Sequence, residues 1–339
     1  MFYKRKKSST VKSYLSLVKF SHTIFALPFA LIGFFLGAAP LIKFYYGSYL
    51  NEKQFTNFQV TADDVIGTKS RLVAGIANMN FTTELLILFG LFLICMVTAR
   101  SAAMAFNRYL DRKFDALNPR TAVREIPAGI ITPKNALMFT IINCVVFIAA
   151  TFFINRICFY LSPVALFVIL FYSYTKRFTA LCHLVLGLGL ALAPIGAYLA
   201  VVGQFDLLPV LFSVAVLCWV SGFDVIYALQ DEGFDKSMKL HSIPTALGTK
   251  NALLVSTLLH IVSAAAVIYA GFYGNFHWLY WIGTAVFAAM LIYQHSLVKP
   301  NDLSKVNIAF MTANGIASVV FAVFVIVDVF ILSVDTLKY

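Results

Sequence analysis

The sequence predicts an all-helical integral membrane protein, because of its composition, its long apolar stretches and its uneven distribution of positive charge. Of the 339 residues, 60% are hydrophobic and only 12% are charged, whereas soluble globular domains carry about 25% charged residues. A helix that crosses the hydrocarbon core needs about 20 predominantly apolar residues. Nine stretches of this kind predict nine transmembrane helices in a single domain over 1–339, at 20–44, 84–107, 135–154, 157–174, 180–202, 207–224, 252–273, 277–296 and 306–334.

The first apolar stretch follows four basic residues at 4–7, an arrangement that signal peptides share. The stretch is too long for a signal peptide, however, and no small-residue cleavage site leads into a soluble domain. We therefore predict that it is retained as the first transmembrane helix. Residues 1–18 then form a cytosolic basic tail.

Positive charge is distributed unevenly among the segments between the predicted helices. If the N-terminus is cytosolic, the tail and the cytosolic loops carry eighteen of the 26 lysines and arginines, and the outer segments carry six. Cytosolic loops of membrane proteins are enriched in Lys and Arg. The asymmetry predicts a multi-pass protein of the inner membrane with a cytosolic N-terminus and the lipid bilayer as a partner. Because it accounts for most of the net charge of +11, we expect no nucleic-acid partner.

Three of the predicted connections are long. The outer segment at 46–83 is polar, and we predict an extracytoplasmic loop insertion there without assigning it a role. The other two are the cytosolic loops 2–3 and 6–7, named after the helices that they join. Seven of the 15 acidic residues lie in these two loops or at the helix ends that lead into them. They are Asp111, Asp115, Glu125, Asp224, Asp231, Glu232 and Asp235.

Two of the acidic residues in each region are four positions apart, a spacing that places side chains on one face of a helix. Each region carries one such column. The first consists of Asn107, Asp111 and Asp115, and the second consists of Tyr227, Asp231 and Asp235, with Asp224 two turns before Asp231 on the same face.

Two acidic columns at the membrane surface favour a bound cation. Like charges at this spacing repel each other by a few tenths of a kcal/mol, and desolvation near a membrane adds to that cost. Mg²⁺ prefers oxygen ligands and keeps coordination positions for substrate phosphates. We therefore predict Mg²⁺ ions between the two columns, with a pyrophosphate group bound to them.

Several basic residues lie on the same side of the membrane as the acidic columns. Guanidinium groups bind phosphate oxygens in bidentate fashion, so Arg120, Arg124 and Lys176 are candidates for binding the diphosphate. For any one of these residues, a role in setting the orientation of the chain in the membrane is an equally good explanation. A second alternative also remains open, in which the acids lie on solvated helix ends and pair with Arg112, Lys113, Arg120 and Arg124.

Three segments resemble the signatures of the UbiA superfamily of membrane prenyltransferases. Residues 107–115, NRYLDRKFD, resemble its NxxxDxxxD motif, and residues 224–231, DVIYALQD, resemble its DxxYxxxD motif. Residues 172–177, YSYTKR, resemble the Tyr and Lys-Arg signature that follows the fourth helix. The resemblance implies nine helices around a central cavity, a cytosolic cap formed by loops 2–3 and 6–7, and a side opening for an isoprenoid tail.

The resemblance also implies a reaction. A polyprenyl diphosphate ionises to an allylic cation, which an electron-rich aromatic acid attacks. The resemblance places Tyr172 beside the cation and Lys176 beside the diphosphate. Because the face of an aromatic ring stabilises a cation, Tyr172 and Tyr227 both suit that position independently. The implied catalytic residues are Asp111, Asp115, Asp231, Asp235 and Tyr172. The implied Mg²⁺ ligands are Asn107, Asp111, Asp115, Asp224, Asp231 and Asp235.

The start of the first helix resembles one bacterial branch of the superfamily. The chain has Lys-Phe-Ser-His-Thr at 19–23, where typical 4-hydroxybenzoate enzymes have an Arg-Pro pair. Residues 20–28, together with residues 124–127 and 240–244, resemble the 4-hydroxybenzoate polyprenyltransferase-like branch, part of which is associated with menaquinone made through futalosine. Ubiquinone and menaquinone pathways, with 4-hydroxybenzoate or a hydroxynaphthoate as acceptor, both remain open. His22 is a candidate for binding the carboxylate of the acceptor.

Two other functions remain as alternatives. Another prenyltransferase of this superfamily would use a haem, chlorophyll or lipid acceptor. An ion- or proton-coupled transporter would place ionisable groups near the middle of the membrane. The acids of this chain gather at the cytosolic helix ends instead, with Asp328 in the last stretch as the exception.

Overall fold

The computed structural model describes residues 10–19, 25–50 and 81–331, and the part of the chain that it describes is helical. That part contains no β-strand, only an isolated bridge between Lys299 and Asp302. A 3₁₀ turn covers Leu229–Asp231 and a π-helix covers Ile308–Ala313. The α-helices are α1 Thr10–Leu17, α2 Leu27–Leu50, α3 Phe81–Leu117, α4 Pro133–Ile154, α5 Arg156–Thr175, α6 Cys182–Val202, α7 Leu207–Ala228, α8 Glu232–Ser237, α9 Ile243–Tyr273, α10 Trp278–Leu297 and α11 Asn314–Ile331.

Each of the nine predicted stretches overlaps one long helix, which confirms the all-helical membrane fold. Seven segments of the described chain are long and apolar enough to cross a membrane. They are Phe81–Leu117, Pro133–Ile154, Arg156–Thr175, Cys182–Val202, Leu207–Ser237, Ile243–Tyr273 and Ile308–Ile331. The apolar part of α2, Leu27–Lys43, is shorter, and α10 is not among the seven. The count of nine spans therefore stays a prediction.

The ends of several helices are fixed by side-chain caps, as lipid requires of every backbone polar group. Asn155 alone separates α4 from α5. Its Oδ1 accepts a hydrogen bond from the backbone N–H of Cys158 at 2.8 Å, and its Nδ2 donates to the carbonyl of Leu199 at 2.7 Å. Ser242 caps α9, and Gly248, with φ 75°, interrupts that helix after its first turns.

The interior is filled by aromatic side chains from four helices. Phe29, Phe212, Trp219, Phe287 and Phe321 are all fully buried. The ring centroids of Phe29 and Trp219 lie 5.3 Å apart, within the range in which aromatic rings attract each other. The outward faces of the helices carry exposed apolar side chains, as a lipid environment requires. The protein therefore has one packed interior and an apolar exterior.

Helix α6 lies unusually close to two of its neighbours, α2 and α7. A β-carbon at Gly33 of α2 would lie 2.0 Å from the carbonyl oxygen of Pro194, and one at Gly187 would lie 2.2 Å from Oγ of Ser221 in α7. Small residues permit this approach of helix backbones in membranes. The two glycines therefore set the spacing of α2, α6 and α7.

The predicted basic tail contains a packed helix. In α1, Leu17 is fully buried, in a cluster with Ala105 of α3 and Ile126 of the following loop. The hydroxyl of Ser16 donates a hydrogen bond to Oε1 of Glu125. The tail therefore does more than provide positive charge, because residues 10–17 pack against the loop that follows α3.

Asp328 caps another helix rather than lining a pathway. It is fully buried, and its carboxylate accepts hydrogen bonds from the backbone N–H groups of His277 at 3.0 Å and Tyr280 at 3.1 Å. These groups lie at the start of α10, where backbone N–H groups have no partner within the helix. The one acidic group that favoured a transporter therefore has a structural role.

Candidate active site

The two acidic columns line one cavity of about 300 Å³. Helices α3, α5, α6, α7 and α8 and the loop after α3 provide most of its wall. The predicted site residues on this wall are Asn107, Asp111, Asp115, Arg120, Arg124, Tyr172, Lys176, Asp224, Tyr227, Asp231 and Asp235. His22 lies outside the described residues, as does most of the segment at 46–83, so both remain predictions.

The first column lies at the end of a helix that is longer than the membrane is thick. At 1.5 Å per residue, α3 with its 37 residues is about 55 Å long, compared with about 30 Å for the hydrocarbon core. Its last turns can therefore project from the lipid. The amide of Asn107 donates to Oδ2 of Asp111 at 3.0 Å, which confirms that these two members of the column share one face.

The second column is not one continuous helix. Asp224 belongs to α7, Asp231 ends the 3₁₀ turn and Asp235 belongs to α8. A 3₁₀ turn is wound more tightly than an α-helix, so residues four positions apart no longer lie strictly on one face. All three aspartates nevertheless line the cavity.

Each aspartate of the cavity is paired with a basic side chain, and most pairs join distant parts of the chain. The carboxylate of Asp111 lies 2.8 Å from Arg177, that of Asp115 lies 2.6 Å from Arg124 and that of Asp235 lies 2.7 Å from Lys176. Asp224 lies 2.7 Å from Nδ1 of His183. Arg120 binds Asp231 and also donates to the hydroxyl of Tyr227 at 3.0 Å.

The pairs agree in part with the alternative in which the acids pair with basic residues, and the binding of a diphosphate by Arg120, Arg124 and Lys176 stays a prediction. Of the four candidate partners for the acids, Arg120 and Arg124 do pair with them. Arg112 instead donates to the carbonyl of Tyr109 at 2.6 Å. Arg177, which the sequence marks only as part of a signature and a topology signal, binds Asp111. The acids are thus paired across the cavity rather than along their own helices.

His183 is a site residue that no sequence pattern indicated. It lies in the first turn of an apolar helix, α6, and is 3% exposed. Only the packing of α6 against α7 brings it to Asp224, 41 residues further along the chain. No local pattern around residue 183 signals that contact.

The cavity is positively charged even with these pairs in place. Among the described residues that line it, seven are Lys or Arg and five are Asp, which leaves an excess of two positive charges. Burial lowers the pKa of Lys19, and the neighbouring charges of Arg108, Arg124 and Arg120 lower it further. Nε and Nη1 of the buried Arg108 have no hydrogen-bond partner among the described residues. This environment favours a polyanion.

The donor set suits a hard divalent cation. No three His, Cys, Asp or Glu side chains of the described chain converge on a single point, so the carboxylates do not form a ready-made metal cluster. However, Oδ2 of Asp115 is buried on the cavity wall with no hydrogen-bond partner among the described residues. A buried carboxylate oxygen of this kind is costly unless a partner is bound, and carboxylate and amide oxygens are the ligands that Mg²⁺ prefers.

Another part of the cavity wall is apolar and aromatic. It includes Phe25, Phe223, Tyr227 and Phe310, with ring centroids of Tyr227 and Phe310 4.3 Å apart and those of Phe25 and Phe310 5.2 Å apart. Phe310 lies in the π-helix, an irregularity that is common at functional sites. The cavity can thus hold a molecule with a charged head and an apolar body.

Comparison with known proteins gives a consistent result. Residues 72–323 match the UbiA prenyltransferase family. A 4-hydroxybenzoate octaprenyltransferase of Tolumonas auensis is 30% identical over 223 residues, which are 66% of this chain and 78% of that protein. A 4-hydroxybenzoate octaprenyltransferase of Francisella tularensis is 28% identical over 236 residues, which are 70% of this chain and 83% of that protein.

Solved structures share the fold. A UbiA homolog from Aeropyrum pernix superposes with a TM-score of 0.70 and 27% identity, over 91% of this chain and 98% of that one. A UbiA homolog from Archaeoglobus fulgidus bound to DMAPP and Mg²⁺ superposes with a TM-score of 0.66, over 94% of this chain and 100% of that one. It is 17% identical, so its likeness concerns the fold alone.

Proposed function

Because the chain belongs to the UbiA prenyltransferase family, we propose that this integral membrane prenyltransferase transfers a polyprenyl group from its diphosphate to an aromatic acid in quinone biosynthesis. The observation that carries the proposal is a single cavity with two kinds of lining. Five aspartates and an excess of positive charge line it together with aromatic side chains. A polyprenyl diphosphate has the same division between a charged head and an apolar chain.

The charged side chains of the cavity wall would bind the diphosphate head. Asn107, Asp111, Asp115, Asp224, Asp231 and Asp235 would hold Mg²⁺, which when bound stabilises the charge that develops on the leaving diphosphate. Arg120, Arg124 and Lys176 bind phosphate oxygens. To do so, they release Asp231, Asp115 and Asp235, the carboxylates with which they now pair.

The aromatic side chains would protect the cation that forms when the carbon–oxygen bond breaks. Tyr172 and Tyr227 line the cavity, and an aromatic ring face stabilises a cation by about 0.5–2 kcal/mol. Phe223 and Phe310 keep water away from it. The ring carbon of the acceptor then forms the new bond to the allylic carbon, and the proton of that ring carbon passes to solvent or to the released diphosphate.

The acceptor is 4-hydroxybenzoate or a hydroxynaphthoate. The names of the relatives from Tolumonas and Francisella support the first of these, and the sequence at 19–23 supports the second. Both are acids, and the buried guanidinium of Arg108 has donor atoms available on the cavity wall. The side chain of Arg100 on the same wall provides a further positive charge. The protein would act in the inner membrane, with its N-terminus in the cytosol and the aspartates of its cavity on the cytosolic side.

The direct test uses membranes that contain this protein, Mg²⁺ and a labelled long-chain polyprenyl diphosphate. 4-Hydroxybenzoate and 1,4-dihydroxy-6-naphthoate are offered in separate reactions, each with an EDTA control. We expect an EDTA-sensitive prenylated product from one of the two acceptors. If neither is prenylated, the aromatic-acid acceptor is wrong, and a haem, chlorophyll or lipid acceptor takes its place.

A further inference from the structure

We propose that His183 is a positioning residue that fixes the Asp224 carboxylate for metal binding and links it to the loop after α8, a role that rests on the function proposed above. His183 does not touch the substrates in this role. It acts through Asp224, which is a predicted Mg²⁺ ligand on the cavity wall.

The contacts of the imidazole ring determine where its proton lies. Nδ1 of His183 lies 2.7 Å from Oδ2 of Asp224, and Nε2 accepts a hydrogen bond from the backbone N–H of Ile243 at 3.3 Å. A backbone N–H can only donate, so Nε2 carries no proton and the proton of the neutral ring lies on Nδ1. The ring therefore donates to Asp224 and accepts from Ile243 at the same time.

His183 differs from the other partners of the cavity aspartates in its burial. The side chains of Arg120, Arg124, Lys176 and Arg177 are 22–34% exposed, whereas that of His183 is 3% exposed. A long, partly solvated side chain can move from a carboxylate to a phosphate oxygen. A buried imidazole whose two nitrogens are both hydrogen-bonded cannot move in this way. Asp224 thus keeps its partner when Asp115, Asp231 and Asp235 release theirs.

The backbone of His183 also contacts α7. The hydroxyl of Ser221 lies 3.1 Å from the carbonyl of His183 and 2.7 Å from that of Leu217, so its one hydrogen is shared between α6 and α7. One turn further along α6, the missing side chain of Gly187 allows Ser221 to approach closely. These contacts fix α6 against the helix that carries Asp224. The residue that donates the hydrogen bond to Asp224 is therefore held in a fixed position, as a positioning residue must be.

The same ring is linked to the loop that joins α8 to α9. Ile243 is the first residue of α9, directly after the cap Ser242. The residue before that cap, His241, donates its backbone N–H to the carbonyl of Lys176 at 2.7 Å. The loop is thus attached to the site both at His183 and at Lys176. A change in the position of Asp224 on metal binding would be transmitted through the ring to Ile243.

Three substitutions separate the two hydrogen bonds of the ring. In His183→Asn, the amide nitrogen takes the place of Nδ1 and still donates to Asp224. In His183→Gln, the amide oxygen takes the place of Nε2 and still accepts from Ile243. His183→Ala loses both bonds. His241→Ala is the matched control, because His241 is exposed and its side chain is not on the cavity wall.

The measurement is the Mg²⁺ concentration that gives half of the thermal stabilisation of the purified protein by an unreactive polyprenyl thiolodiphosphate. Removing a partner of a metal-binding carboxylate weakens metal affinity by about 10–100-fold. We expect an increase of that size in His183→Ala and His183→Gln, and a value close to wild type in His183→Asn and His241→Ala. Prenyl transfer should follow the same order and should recover at high Mg²⁺ in His183→Gln.

The outcomes distinguish the positioning role from the proposed function. Equal Mg²⁺ requirements in wild type, His183→Asn and His183→Gln would overturn the role of His183 and leave the enzyme assignment in place. A wild-type protein that shows no Mg²⁺-dependent stabilisation would overturn both. If His183→Ala does not fold, the comparison of the Asn and Gln variants still decides the question.

Discussion

Lys176 at the end of α5 lies 2.7 Å from Oδ2 of Asp235, and this contact joins the signature after the fourth predicted helix to the second acidic column. The side chain of Asp235 is 1% exposed, whereas that of Lys176 is 34% exposed. The lysine can therefore leave the pair more easily than the aspartate can. Release of Lys176 would provide a cation for the diphosphate and a carboxylate for Mg²⁺ in a single movement.

Replacement of Lys176 should weaken binding of the prenyl donor. A hydrogen bond to a charged group contributes about 1.5–3 kcal/mol, so we expect Lys176→Met to raise the KM for polyprenyl diphosphate about 10–100-fold. Lys113→Met removes the same charge from an exposed position near the end of α3 and serves as the control. The KM of each variant is measured from initial rates in membranes over a range of donor concentrations. Equal increases in KM would indicate a general loss of positive charge rather than a contact of Lys176 with the diphosphate.

Loss of an aspartate from either column should abolish turnover. We expect no prenyl transfer from Asp111→Ala or from Asp231→Ala, and much weaker Mg²⁺-dependent binding of the diphosphate, because each removes a predicted metal ligand. Both variants should still insert into the membrane. The control is Asp302→Ala, since the side chain of Asp302 bonds locally, with Ser304. Full activity in either column variant would show that the metal site is assigned wrongly.

Lys19 should destabilise the protein in the absence of substrate. Its pKa is lowered by burial and by Arg108, Arg124 and Arg120, so the folded state loses this proton at a lower pH than the unfolded state does. Between the two pKa values the unfolded state binds more protons, and stability rises with pH. At a pH below both pKa values, Lys19 is charged in both states, and its charge opposes folding. We therefore expect Lys19→Met to raise the thermal midpoint of the substrate-free protein at pH 7.

Salt and substrate should change this effect of Lys19 in known directions. High ionic strength screens the repulsion from the neighbouring arginines, so the difference between Lys19→Met and wild type should shrink in salt. A bound diphosphate should reverse it, because the lysine then faces a polyanion. Thermal unfolding in detergent with and without the thiolodiphosphate measures both. A lower midpoint for the substrate-free variant would contradict the prediction.

Asp328 should matter for stability and not for metal binding. Asp328→Ala leaves the backbone N–H groups of His277 and Tyr280 without their carboxylate, and an unsatisfied buried group costs about 1–3 kcal/mol. We expect a lower thermal midpoint with an unchanged Mg²⁺ requirement. Asp206→Ala, which removes the cap of α7 at a less buried position, should have a smaller effect. A raised Mg²⁺ requirement in Asp328→Ala would point to a functional carboxylate.

The sequence predicts the fold and most of the candidate site because both depend on local patterns. The apolar stretches mark each long helix. A separation of four residues places Asp111 on the same helix face as Asn107, as their hydrogen bond confirms. Similarity to family motifs then selects residues that the fold brings to one cavity, among them Tyr172 and Lys176. Each of these inferences needs only neighbouring residues.

The partners of the acids cannot be predicted in this way. Arg120 and Asp231 are 111 residues apart, and His183 and Asp224 are 41 apart. Which cation reaches which carboxylate depends on how α5, α6 and the loop after α3 pack around the cavity. The 3₁₀ turn that ends at Asp231 escapes prediction for a related reason, since DxxYxxxD is equally compatible with an unbroken α-helix.

The single-residue connection at Asn155 has a consequence for the evolution of this chain. Asn155 is bonded to both Cys158 and Leu199, so the start of α5 has a fixed position and direction. Each additional residue within α5 would rotate the remainder of the helix by about 100° and would turn Lys176 and Arg177 away from the cavity. Related sequences can therefore exchange side chains between Asn155 and Lys176, but insertions and deletions there should be eliminated by selection.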